Sequence, residues 1–210
     1  MTVTPMFPLE SVRLPGEDLP LRIFEPRYGE LVRDCLAAPE PVFGVVLISA
    51  GREVGGGDVR CDVGALAHID QCAGQDGRYR LACSMTERIR IMQWHNDDPY
   101  PCAVVELWPD EPGPAVPDAA IVGVEDRIIA LFERIASSRG ARLRGRDSIL
   151  AGTVNADVGK RLYALASLLP MGQADKYSVL AAPNASARLD ALNEAVESIA
   201  AMVEFQLSDD

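Results

Sequence analysis

At 210 residues and 48% hydrophobic content, the chain can bury a sizeable core, as one large domain or two small ones. No apolar run approaches the roughly 20 residues needed to cross a bilayer, and the N-terminus lacks a basic patch followed by a hydrophobic stretch, so a soluble, cytoplasmic protein with no membrane partner is expected. The formal charge of −11 repels phosphate backbones and leaves nucleic-acid binding to a local basic patch.

The first half reads as strands. Leu9, Val12 and Leu14 lead into a Pro15-Gly16 turn, and Leu19, Leu21 and Ile23 alternate as a half-buried strand over 19–23. Pro26 then fixes the first turn of a helix over about 27–37, whose Leu31, Val32, Cys35 and Leu36 share one face and should plug the end of a curled sheet. Further strands are expected at 42–48, 63–69, 78–85, 88–94 and 102–107, with Gly55-Gly56-Gly57 as a hairpin loop. Six short strands and a helix suggest a small, partly closed β barrel.

Thirteen of the fifteen prolines precede residue 118. The proline-rich tract 109–117 reads as a short semi-rigid linker, placing a boundary that separates 1–113 from 114–210. Beyond it, Asp118 is expected to cap a helix over 119–138 lined by Ile121, Val124, Ile128, Phe132 and Ile135. Helices follow at about 147–153, 156–169 and 173–181. A last one begins behind Asn184, with Leu189, Leu192, Val196, Ile199 and Val203 forming a seam for packing within its own bundle.

Little in the chain points to catalysis. Cys35, Cys61, Cys72, Cys83 and Cys102 are an odd set without C-x-x-C spacing, which suits reduced thiols; Cys61, His68, Cys72 and Cys83 match no usual zinc pattern. Gly159-Lys160 is followed by Arg161 and does not make a Walker A loop, and the triple glycine runs into a strand rather than a helix start. Ser167 and Ser178 lie near Lys160 and Lys176, but on helices without an oxyanion loop; His68 and His95 suit structural or solvated roles. No catalytic residue, metal or cofactor is assigned.

Two groups of charges stand out. Arg139, Arg142, Arg144 and Arg146 form a loop between helices that would suit partner docking, although it has no aromatic residues to stack bases. Glu25, Arg27, Glu30 and Arg33 surround the start of the first helix and could border an apolar groove, with Tyr28 as an amphipathic anchor and Phe24 as a wall.

The tract Met6-Phe7-Pro8-Leu9, Pro15-Gly16, Leu19-Pro20-Leu21 and Phe24-Glu25-Pro26-Arg27-Tyr28 resembles the opening of the Lon protease substrate-binding domain. The likeness continues through Phe43–Ile48, the triple glycine, Val63–Ile69 and Gly77–Leu81, and returns at Asp175–Leu180 and Arg188–Leu192. It implies an α+β fold: an N-terminal PUA-like β pseudobarrel with one helix, followed by a C-terminal α-helical bundle. It also implies a stand-alone, ATP-independent member of the family without the ATPase and Ser-Lys protease modules. The expected function is non-catalytic binding of unfolded or extended polypeptides, in a cleft made by the barrel edge and the helical half, for protein quality control or as a proteolysis adaptor. A protease or chaperone is the further partner such a role implies. The alternative is a PUA-like nucleic-acid-binding module, which the charge disfavours; oligomeric state stays open.

Overall fold

The structure, a computed structural model, describes residues 2–51, 57–75, 77–153 and 157–208. Gly55 and Gly56 of the triple glycine and the acidic end Asp209-Asp210 lie outside the described residues. The chain divides into two compact units, Met1–Pro109 and Asp110–Asp210.

The first unit holds strands β1 (Thr2–Leu9), β2 (Asp18–Ile23), β3 (Val42–Ala50), β4 (Val59–Gln75), β5 (Arg78–Trp94) and β6 (Cys102–Leu107), with helix α1 (Pro26–Ala37) between β2 and β3. They form one sheet in the order β2-β5-β4-β3-β1-β6, and β6 also pairs with β5. Five strands therefore close into a ring. Among the described residues β2 alone has a single neighbour, β5, so one of its edges is open.

Three strands depart from expectation, β4 by running over Val59–Gln75 where 63–69 was expected. β1 is not among the expected strands and holds Pro5 and Pro8, which cannot donate to a ladder; it nonetheless pairs in parallel with β3, Met6 opposite Gly44, and antiparallel with β6, Val3 opposite Val104. The segments 78–85 and 88–94 are one continuous strand. Ala67 pairs with Met85 and Ala65 with Arg88, so Thr86 and Glu87 sit at a bulge that shifts the register without ending the strand.

Alternation along β1 sends neighbouring side chains to different cores. Phe7 and Leu9 join Leu19, Ile23, Leu31, Val32 and Phe43 in one cluster, while Met6 packs with Val46, Ile89, Ile91 and Val105 in another. Helix α1 contributes Tyr28, Leu31, Val32 and Cys35 to the first; the Tyr28 ring lies 4.2 Å from that of Phe7. Leu36, expected on this face, is instead 46% exposed, since the buried arc ends at Cys35. Gly29 lets the β4–β5 hairpin approach: a Cβ there would stand 2.9 Å from the Cα of Gly77, which itself has a φ of 77° that favours glycine.

The second unit contains α2 (Asp118–Ser138), α3 (Arg146–Ile149), a 3-10 turn (Ala151–Thr153), α4 (Val158–Ser167), α5 (Gln173–Ala181) and α6 (Ala185–Ser208). α6 packs against α2, α4 and α5. Its Leu189, Leu192, Val196 and Ile199 are buried and Val203 is half-buried, as the spacing of three and four residues requires. Asn184 caps it by accepting from the backbone N–H of Ala187 at 3.0 Å. Asp118 does not cap α2: Pro117 occupies the N-cap position, so Asp118 becomes the first helical residue, where its charge still faces the positive helix end. The helix expected at 147–153 is split into α3 and the 3-10 turn. Among the described residues, no helix is long and apolar enough to cross a membrane.

Candidate functional site

The joint between β2 and α1 gathers the candidate binding residues. Strand β2 ends with Ile23 buried, and Glu25 holds the extended backbone from which Pro26 starts the helix. Phe24 lies between them and is 64% exposed, whereas Tyr28, four residues on, is 4% exposed. Tyr28 therefore belongs to the core, and burial pushes its phenol up to about 12.

The charged candidates form local pairs. Arg27 Nε donates to Glu25 at 3.1 Å, and its guanidinium lies 4.5 Å from the centre of the Tyr28 ring. Arg33 donates to Glu30 at 2.5 Å, one helical turn away. The bond to Glu30 and its charge raise the Arg33 pKa, with a smaller contribution from Tyr79 on β5. An exposed pair such as Arg33–Glu30 fixes side-chain direction more than it stabilises the fold.

Three hollows surround this joint. One of about 210 Å³ is floored by Phe7, Leu9, Leu21, Ile23 and Tyr28, with Phe24 on its rim. A second, of about 590 Å³, lies between Phe24, Pro26, Glu30 and Arg33 on one side and Arg78 and Tyr79 on the other. A third, of about 380 Å³, is bordered by Arg22, Ile23, Ala73, Arg78, Tyr79 and Arg80. Phe24 is shared by the first two and Tyr79 by the last two. Five of the six candidates from Phe24 to Arg33 line these hollows, with Tyr28 beneath the surface, and Arg27 is tied to them through Glu25.

Arg22, Arg78, Tyr79 and Arg80, which border the third hollow, are not among the candidates read from the sequence. The alternation of Arg78 and Arg80 about a half-buried Tyr79 was a readable signal of one charged strand face. The pairing of Arg22 with Arg80 across β2 and β5 is a long-range register and had no local signature.

The arginine loop belongs to the second unit. Arg139 is the C-terminal cap residue of α2, Arg142 and Arg144 are exposed, and Arg146 opens α3. Arg146 donates to Asp126 at 2.5 Å and reaches Glu125 at 3.4 Å; the buried Glu125 also accepts from Arg161 at 2.6 Å. Arg146 is thereby a fastener of its own unit.

Groups weighed for catalysis are occupied otherwise. Ser167 and Ser178 donate to the carbonyls of Tyr163 and Ala174, four residues back in their helices. Ser84 and His68 both bond to Asp70, at 2.5 and 2.9 Å, an order that places the carboxylate, not the imidazole, beside the hydroxyl. Those two bonds hold the Asp70 carboxyl below its usual range. Among the described residues, no group of three His, Cys, Asp or Glu side chains is placed to hold a metal ion.

Comparison with known proteins places this geometry. Residues 3–198 match the family model described as the ATP-dependent protease La (LON) substrate-binding domain. A crystal structure of a Lon N-terminal domain protein from Xanthomonas campestris is similar over 92% of this chain and 98% of that one, with 27% identity and a TM-score of 0.60. The N-terminal domain of Mycobacterium avium complex Lon protease is similar in fold over 93% of this chain and 98% of that one, with 15% identity and a TM-score of 0.64. No curated protein matches the chain.

Proposed function

Because the chain belongs to the Lon substrate-binding domain family, we propose that it is a non-catalytic, nucleotide-independent module that binds unfolded or extended polypeptides in the cytoplasm, in protein quality control or as an adaptor for proteolysis. The observation that carries this reading is Phe24, a large apolar side chain left exposed where two hollows meet. Apolar side chains of a bound segment would gain burial against Phe24 and Leu21, with Glu25, Arg27, Glu30 and Arg33 as a polar rim and Tyr28 as the floor. The ring of five strands supports treating the first unit as a PUA-like pseudobarrel, and the packing of α6 on three other helices supports treating the second as a helical bundle. We place the division of labour at 1–113 and 114–210, and assign the loop from Arg139 through Arg142 and Arg144 to Arg146 to partner docking, a protease or chaperone being the partner such an adaptor requires.

Fluorescence titration of the purified protein with labelled unfolded polypeptides, with and without ATP, tests the proposal. Binding is expected to be weak and indifferent to nucleotide, and Phe24→Ala should weaken it about fivefold or more, the loss typical of an aromatic anchor. A folded protein that binds none of several apolar unfolded chains would overturn the proposal.

A further inference from the structure

Three arginines around the candidate site have a carboxylate: Arg27 has Glu25, Arg33 has Glu30, and Arg60 has Asp58 and Asp97. The side chains of Arg22, Arg78 and Arg80 have no acidic or hydrogen-bonding partner among the described residues. All three are exposed on one face of the β2–β5 ladder. Arg22 stands directly opposite Arg80, and Arg78 follows two residues along the same face. Like charges opposite each other weaken a ladder. The chain has 31 acidic residues against 20 basic ones, yet none of the described ones relieves this trio.

The arginines also border space. They share the hollow of about 380 Å³ with Ile23, Ala73 and Tyr79, and Arg78 and Tyr79 continue into the hollow beneath Phe24. A ligand filling this stretch must bring negative charges to the arginine face and an apolar group to Tyr79 and Phe24. In an extended polypeptide, side chains two residues apart point the same way at about 7 Å spacing, which is the repeat of Arg78 and Arg80 on β5. A long nucleic acid fits poorly, because its backbone would leave a three-arginine patch and enter the field of a chain charged at −11.

We propose that the exposed face formed by Arg22, Arg78 and Arg80 is a subsite for acidic polypeptide segments, reading Asp or Glu side chains at alternate positions next to an apolar residue held by Phe24 and Tyr79. This rests on the polypeptide-binding function proposed above and names the substrate class it selects. The arginines confer preference rather than the bulk of affinity, since exposed ion pairs are individually weak and screened by salt.

The test uses the intact protein, fluorescence anisotropy and two labelled unfolded peptides with the same apolar residues. One carries Asp and Glu at alternate positions; the other carries Ser and Asn there. A single-stranded RNA of similar length is the third probe. The acidic peptide should bind about tenfold more tightly than the neutral one at low salt, with the difference shrinking as salt rises. The triple variant R22Q/R78Q/R80Q, its folding checked by circular dichroism and thermal midpoint, should bring the acidic peptide down to the affinity of the neutral one. R22K/R78K/R80K should keep most of the preference. Equal affinities of the intact protein for the two peptides would sink the acidic subsite and leave polypeptide binding standing. Failure of both peptides to bind would remove both proposals. Tighter binding of the RNA than of the acidic peptide, or a preference that survives in the Gln triple, would also overturn the subsite.

Discussion

At the residue scale, the most consequential buried charge is Arg188. Its side chain is fully buried on α6, donates to both oxygens of Asp110 at 2.9 and 2.5 Å, and lies 4.0 Å from the centre of the Tyr163 ring. Removing one member of such a pair leaves the other without compensation for its lost hydration. Asp110→Ala should therefore destabilise the protein by about 2–3 kcal/mol, below the usual cost for fully buried pairs because the Asp110 side chain is 34% exposed. Arg188→Met, which removes the charge itself and keeps most of the volume, should cost less. Urea unfolding of the two variants gives the order, and a larger loss for the Met variant would refute this account. The pair also shows why an Arg in an otherwise apolar helix seam need not mark a binding site.

At the element scale, helix starts separate what local sequence says from what the neighbouring backbone allows. Asn184 and Asp118 are both good N-cap residue types, and only Asn184 makes the bond, because Pro117 displaces Asp118 by one position. Asn184→Ala should cost about 1 kcal/mol, the value of a lost side-chain cap. Asp118→Ala should cost about 0.5 kcal/mol or less, since only its attraction to the helix dipole is lost. Thermal unfolding of the pair under the same buffer decides between them; equal losses would mean that Asp118 contributes more than its charge. The β2–α1 joint follows the same logic in favour of function. Pro26 fixes where the helix begins, so Phe24 falls in the two-residue link outside both elements and stays exposed.

For the whole molecule, buried ionisable groups set how stability responds to alkali. Burial pushes the thiols of Cys35 and Cys83 from 9.0 up to about 12, and the phenol of Tyr28 from 10.0 to about 12. Above about pH 9 the unfolded chain sheds protons that the folded chain retains, so the folded state binds more protons and stability falls as pH rises. The contribution of these groups is complete below pH 9 and is lost progressively toward pH 12. Urea midpoints measured from pH 8 to 11 should fall steadily. In Cys35→Ala and Cys83→Ala the starting stability is lower but the slope should be shallower, and an unchanged slope in both would show that other groups govern alkaline unfolding.

The sequence by itself determined the kinds of element and most of their order. Apolar alternation and turn residues located β2, β3, β4 and β6, a proline placed α1, and the spacing of Leu189, Leu192, Val196 and Ile199 gave α6 its buried face. The Met6–Leu9 and Phe24–Tyr28 motifs carried the family likeness because they combine prolines and aromatics whose local geometry is restrictive. Tertiary structure decided the rest. β1 forms despite two prolines because β3 and β6 supply partners on both sides, and Thr86-Glu87 becomes a bulge because β4 holds both flanks. Arg22 meets Arg80 only through the register of β2 on β5, which joins residues far apart in the chain and leaves no periodic trace in either segment. Local patterns encode which face of an element is buried; which faces meet is fixed by long-range pairing, and the arginine face beside Phe24 is made by such a meeting.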